Sequence, residues 1–218
     1  MAISSTLLSH YTAPVDDGDS MNTQHPTIIL ASSSPYRRAL LGKLHLPFSH
    51  YSPSIDEAPL AGEAPQAMVM RLARLKAEAI AQAHGPALII GSDQTAVLDG
   101  EMLGKPGNKE NAIKQLRAAS GRQVTFLTSL CLMNSQTGRT QTACEPFHVH
   151  FRRLTDQQIE RYVELEQPLD AAGSFKSEGL GITLFSHLEG RDPNTLVGLP
   201  LIRLTDFFLA EGISLPPT

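Results

Sequence analysis

The sequence predicts an α/β protein built on a mixed β-sheet with flanking helices. Three observations carry that reading. Short apolar runs at 28–30 and 88–90 have the length and composition of buried strands. Amphipathic segments with helix-start signals separate them, most clearly over 65–84. Hairpin signals at Asp99-Gly100 and around Thr137-Gly138 demand antiparallel neighbours, which a purely parallel sheet lacks.

The first strand runs into three serines and a proline, Ser32-Ser-Ser-Pro35, and two arginines follow. Pro35 suits the first turn of a helix. The loop before it offers backbone N–H groups and hydroxyls at the positive end of that helix, where phosphate binds, and Arg37 or Arg38 would strengthen the site. A serine-capped helix with solvated arginines explains the same stretch without a ligand. Phe48 to Tyr51 reads as a second short strand, followed by a polar loop with Asp56 and Glu57.

Pro65 starts a helix to about His84, whose apolar stripe is Val69, Leu72, Ala73, Ala79, Ile80 and Ala83. Lys76 sits inside that stripe, while Arg71, Arg74, Glu78 and Gln82 fall on the other side. A lysine on a buried face must find an anion or snorkel out. After the second apolar strand, Asp93 is embedded in strand-like sequence, where aspartate is depleted and so asks for a reason. A two-residue Asp99-Gly100 turn sets Leu98 opposite Glu101 and Gln94 opposite Lys105, which puts a lysine close to Asp93.

Asn108 caps a helix to Ala119, and strands over about 123–133 and up to Phe151 flank a turn. His148 and His150 alternate onto one face of the second, and no further ligand cluster supports a metal there. Thr155 and Gln158 have capping-box spacing. Gly173 to Gly179 reads as a flexible loop, and a Pro-Asn-Thr-Leu-Val-Gly-Leu-Pro segment leads into a last amphipathic helix.

With 218 residues, 41% hydrophobic and 18% charged, the chain supports a sizeable core, as one domain or two tightly packed lobes over 27–218. A net charge of −4 argues against binding a nucleic acid polymer by bulk electrostatics. No apolar run approaches the ~20 residues of a membrane span. Two cysteines, Cys131 and Cys144, flank a turn, and as reduced thiols they fit a cytoplasmic protein. Residues 1–26 read as a disordered N-terminal extension without a secretion signal, and Met21 is a candidate start.

P-loop and Rossmann fingerprints are absent, as are Gly-x-Ser-x-Gly and H-E-x-x-H. What remains is a serine loop with arginines, together with Glu57, Lys76, Asp93 and Lys105. Cations that hold phosphates and carboxylates that hold a metal and deprotonate water are the parts that cleave a phosphoanhydride.

The order of these parts is distinctive: Leu-Ala-Ser-x-Ser-Pro-x-Arg at 30–37, Asp-Glu at 56–57, Lys-Ala at 76–77, Gly-Ser-Asp at 91–93, Gly-Lys-Pro at 104–106 and Val-Gly-Leu-Pro at 197–200. Together they resemble the Maf family of nucleoside triphosphate pyrophosphatases over about residues 27–212. The resemblance implies a mixed sheet around a deep cleft, related to the inosine triphosphate pyrophosphatases. It also implies hydrolysis of a nucleoside triphosphate to the monophosphate and pyrophosphate with a divalent metal cation, Mg²⁺ or Mn²⁺, and it admits a homodimer. On matching positions, Ser32, Arg37, Lys76 and Lys105 would hold the phosphates. Glu57 would bind metal, and Asp93 would bind metal or activate water.

Three positions depart from the common family pattern. Tyr36 replaces an arginine, Gln94 a threonine and Glu178 a glutamine, and together they resemble the subgroup acting on 7-methyl-GTP. N7-methylguanine is cationic, so an aromatic face attracts it and a carboxylate accepts from its N1–H and amine. The alternatives are a pyrophosphatase for dTTP, UTP or other modified nucleotides, and a nucleotide-binding regulator of cell division.

Overall fold

The computed structural model describes residues 26–217. Residues 1–25 of the expected N-terminal extension, with the candidate start at Met21, lie outside these residues. In chain order the elements are β1 (Ile28–Ala31), α1 (Pro35–Gly42), β2 (Ser49–Tyr51), α2 (Pro65–Ala81), β3 (Leu88–Leu98), β4 (Glu101–Leu103), α3 (Lys109–Ala119) and β5 (Gln123–Asn134). There follow β6 (Thr140–Phe151), α4 (Asp156–Glu166), β7 (Phe185–Gly190), α5 (Asn194–Val197) and α6 (Leu201–Ala210), with 3₁₀ turns at Ala172–Ser174 and Leu180–Leu184.

Local chemistry sets the helix starts. Ser34 Oγ accepts from Arg37 N–H with Pro35 in the first turn of α1, Asn108 caps α3, and Thr155 and Gln158 close a full capping box on α4. The strands form a single mixed sheet in the order β2-β1-β3-β5-β6-β7, with β4 paired to β3. β1 runs parallel to β2 and β3, and every other pairing is antiparallel.

One detail of register shapes the molecule. β1 accompanies β3 only through Leu30 opposite Ile90, and β4 rejoins it at Leu103 opposite Ala96. Residues 91–95 of β3 therefore have β5 on one edge and an opening on the other. An opening at the carboxyl ends of parallel strands is where ligands enter open α/β sheets.

Apolar layers cover both faces. Ala73, Ala77 and Ile80 of α2 pack on Ile29, Ile89 and Cys131. On the opposite face Leu40, Leu41, Leu204 and Phe208 pack on Leu30, Ile90 and Leu130. Farther along, Leu116, Ile159 and Val163 pack on Phe126, Phe147 and Val149. Among the described residues, no helix is long and apolar enough to cross a membrane.

Several expectations change. α2 ends at Ala81 rather than near His84, and its buried stripe contains Met68 and Ala77 in place of Ala79 and Ala83. Ala83 lies beyond the helix, where the chain turns. The hairpin register is Leu98 opposite Glu101 as expected, but β4 ends at Leu103, so Gln94 and Lys105 are not strand partners. Strand β7 escaped the sequence reading because it is an edge strand, exposed except at Phe185, with no apolar run. The loop after Gly173 is packed rather than open: Phe175 stacks edge-on against Phe126, Phe151 and Phe185. Cys131 and Cys144 are free thiols and diagonal neighbours across the β5–β6 hairpin.

Candidate active site

A cleft of about 870 Å³ opens beside residues 91–95 of β3 and gathers nine of the residues singled out by the sequence: Ser32, Tyr36, Arg37, Glu57, Lys76, Asp93, Gln94, Lys105 and Glu178. Its walls come from the loop into α1, the loop before α2, strand β3, the loop after β4, the 170–178 segment and α5.

Lys76 is the centre of the charged wall. It faces inward from α2 at 6% exposure, and its Nζ donates to Asp93 Oδ1 at 2.6 Å and lies 2.9 Å from Glu57 Oε1. Burying an ammonium is costly unless it is paired, and two carboxylates do the pairing. Gly91 allows this approach: a Cβ there would stand 2.0 Å from the Ala73 carbonyl oxygen, so only glycine lets β3 lie this close to α2. Asp93 is buried at 8% exposure, and its place inside a strand is explained by the lysine it meets.

Glu57 comes from a loop without regular structure, and that loop is pinned by a pair the sequence reading missed. Arg71 donates to both carboxylate oxygens of Glu63, at 2.6 and 2.7 Å, and to the Ala58 carbonyl at 3.2 Å. The Arg71 bonds, with a further bond from Leu60 N–H, pull the Glu63 carboxyl down to about 2. Asp56 turns away and caps Ala58 N–H.

The arginines separate. Arg37 lines the cleft and its Nε donates to the Gly198 carbonyl at 2.8 Å, which fixes the guanidinium and leaves its terminal nitrogens to donate elsewhere. Burial lowers its pKa, opposed by the nearby charges of Asp93 and Glu57, and it stays a cation. Arg38 points out to His50 Nε2 at 3.1 Å. Ser32 Oγ accepts from Ser34 N–H at 3.1 Å, which leaves its hydroxyl proton to donate. Lys105, exposed, lines the cleft from the loop just past β4.

The cleft also has an aromatic and acidic lining. Tyr36, 36% exposed, stands next to Arg37 in the first turn of α1, and Phe126, Phe175 and Glu178 line the cleft from β5 and the 170–178 segment. Gln94 lines the cleft too, but its amide donates to Thr128 Oγ1 at 2.7 Å and to the Thr195 and Leu196 carbonyls at 2.9 and 3.2 Å. Ser92 donates to the Gly198 carbonyl at 3.0 Å. Ser92 and Gln94 thus anchor α5, whose Leu196 and Val197 form part of the wall.

Among the described residues no group of three or more His, Cys, Asp and Glu side chains gathers as a metal cage. His148 and His150 share a face, but His150 stacks on His187 at 3.8 Å and His148 Nδ1 is engaged by Thr125, so their nitrogens do not converge. Glu57 and Asp93 do converge, on Lys76. Two carboxylates fit a hard cation such as Mg²⁺, which takes one or two protein oxygens and completes its shell with phosphate and water.

Comparison with known proteins agrees with this geometry. A family model described as Maf-like protein matches residues 27–210. A protein of Alcanivorax borkumensis named 7-methyl-GTP pyrophosphatase is 64% identical over 196 residues, 90% of this chain and all of that one. Proteins of the same name from Pseudomonas aeruginosa and Pseudomonas syringae pv. tomato are 60% and 57% identical, each over 88% of this chain and their whole length. Among solved structures, the Ham1 protein of Staphylococcus aureus shares the fold, with a TM-score of 0.50 at 16% identity over 85% of this chain and 99% of that one.

Proposed function

This chain belongs to the Maf family, and from that premise we propose that it hydrolyses 7-methyl-GTP to 7-methyl-GMP and pyrophosphate. The observation that carries the reading is the cleft itself: Lys76 is clamped by Asp93 and Glu57 at the opening of β3, and Arg37, Tyr36, Phe126, Phe175 and Glu178 line the same cleft.

A nucleoside triphosphate carries about four negative charges near neutrality, and its hydrolysis depends chiefly on positioning and charge stabilisation. Arg37, Lys105, the Ser32 hydroxyl and the N–H groups opening α1 hold the phosphate chain. Water attacks the α-phosphorus, the bond from that phosphorus to the α–β bridging oxygen breaks, and pyrophosphate leaves. The water proton passes to the Asp93 carboxylate at Oδ2, since Oδ1 is held by Lys76. A divalent cation, Mg²⁺ or Mn²⁺, held by Glu57 and Asp93 would offset phosphate charge and acidify the attacking water.

At the base end, Tyr36 stacks on the cationic methylated purine, and Glu178 accepts from its N1–H and amine while offsetting its charge. Two free thiols suit a reducing cytoplasm, where we place the reaction.

The test is pyrophosphate release from 7-methyl-GTP, GTP, dTTP and UTP with Mg²⁺ or Mn²⁺. The reading expects the largest kcat/KM for 7-methyl-GTP and a loss of about 10²–10⁴-fold in Asp93→Asn, which keeps the shape and removes the base. Fast release from dTTP with none from 7-methyl-GTP overturns the substrate assignment. Full turnover in Asp93→Asn removes Asp93 from the chemistry.

A further inference from the structure

We propose that Asp170 and Lys176, opposite charges in the wall beside the base pocket, set how strongly this cleft prefers a cationic purine over a neutral one. The inference rests on the 7-methyl-GTP reading and assigns part of its selectivity to residues outside the motif set.

The charges lining the cleft divide into two groups. Arg37, Glu57, Lys76, Asp93 and Lys105 come from α1, α2, β3 and the loops beside them, the Lys105 loop being joined to Leu169 by the Gly107 N–H at 3.1 Å. Asp170, Lys176 and Glu178 stand together on one segment, the one whose Glu178 the 7-methyl-GTP reading assigns to the base. Lys176 Nζ lies 3.5 Å from Asp170 Oδ1, whereas Glu178 receives only a hydroxyl bond, from Ser177 at 3.3 Å. The segment therefore carries one net negative charge toward the pocket, equal and opposite to the single positive charge of an N7-methylated guanine. Without Asp170, the Lys176 ammonium would face a cationic ring uncompensated.

The placement of these charges is over-determined. Phe175, next to Lys176, is locked in the aromatic cluster with Phe126, Phe151 and Phe185. The Lys176 N–H donates to the hydroxyl of buried Tyr162 at 3.1 Å. Ser174 is hydrogen-bonded to Gln115 of α3. Gly181 lets the following turn close over the segment, because a Cβ there would stand 2.3 Å from the Lys176 carbonyl oxygen. Glu166 lies behind, capping Leu180 N–H, and does not line the cleft. A freely exposed ion pair changes little. This lysine is only 21% exposed and lines a concave site, so its charge and that of its partner are felt by whatever binds there.

The consequence is a rank order set by charge. Asp170→Asn brings the segment to zero, Lys176→Met to two negative charges, and the double variant back to one. The measurement is kcat/KM for 7-methyl-GTP divided by kcat/KM for GTP, a ratio that cancels the fraction of folded enzyme. Asp170→Asn should lower it about fivefold, Lys176→Met raise it about fivefold and the double variant restore it to within about twofold, all three effects shrinking in about 0.5 M salt. Neutral 7-deaza-GTP, which lacks the N7 acceptor, should behave like GTP. If it behaves instead like 7-methyl-GTP, Lys176 reads N7 and not charge, and the proposal falls. It falls too if the single variants leave the ratio unchanged or move it the same way while Glu178→Gln lowers it. A wild type without preference for 7-methyl-GTP overturns the substrate reading beneath it.

Discussion

Lys76 and Lys176 face the same cleft from opposite kinds of structure. Lys76 projects from the middle of a 17-residue helix, is almost wholly buried, and is held between Asp93 at 2.6 Å and Glu57 at 2.9 Å. Lys176 projects from a loop, and its one carboxylate partner lies 3.5 Å away and is 64% exposed. The first arrangement fixes its charges in place, because strand and helix leave little freedom and the low dielectric makes each charge matter. The second is looser, since a part-exposed pair contributes modestly and its removal leaves no buried charge unpaired.

The largest effect should come from breaking the first pair. Lys76→Met strands Asp93 beside Glu57 with no cation between them and should cost about 3 kcal/mol in urea denaturation, together with nearly all pyrophosphate release. Lys176→Met should stay within about 0.5 kcal/mol of wild type. Equal losses in the two variants would erase the contrast.

Tyr36→Ala should raise KM for 7-methyl-GTP about tenfold and leave kcat nearly unchanged, because stacking on the base acts alike on ground and transition states. A fall in kcat with unchanged KM would place Tyr36 at the phosphates instead.

The smallest effect concerns the sheet face that α2 covers. Burial pushes the Cys131 thiol up from 9.0 to about 12 and Cys144 up to about 11. Between pH 9 and 12 the unfolded chain releases protons that the native thiols keep, so stability falls as pH rises through that window. Cys131→Ala should flatten the alkaline decline seen in urea midpoints. Cys131 should also resist an aromatic disulfide reagent at pH 8 until the protein unfolds.

Much of this was legible in the chain. The caps at Ser34, Asn108 and Thr155 are made within three residues, so local sequence reveals them. The Asp99-Gly100 turn correctly placed Leu98 opposite Glu101. An anionic partner for Lys76 followed from a lysine in an apolar stripe. The misses have equally physical causes. Edge strand β7 has no buried alternation to betray it. The segment after Gly173 looked open because glycine and serine surround Phe175, whose burial depends on three other phenylalanines from distant elements. Gln94 lines the cleft as read, and what the sequence did not show is that its amide also reaches carbonyls of α5 about a hundred residues away, at Thr195 and Leu196. Arg71 was read only as lying on the far side of its helix, and only the loop folded over it, with Glu63 and the Ala58 carbonyl, makes it a support of Glu57.

By itself, then, the sequence determined most of the strands and helices, the Leu98–Glu101 register and a set of residues that the fold brings to one cleft, because those follow from caps, turns, periodicity and residue chemistry acting over a few positions. The tertiary structure decided which arginine enters the cleft, which carboxylates hold Lys76, and that Asp170 and Lys176 share a wall with Glu178. Arg37 and the Gly198 carbonyl it grips are 161 residues apart, and such contacts exist only once the sheet order and the opening between β1 and β4 have brought the ends of the chain together.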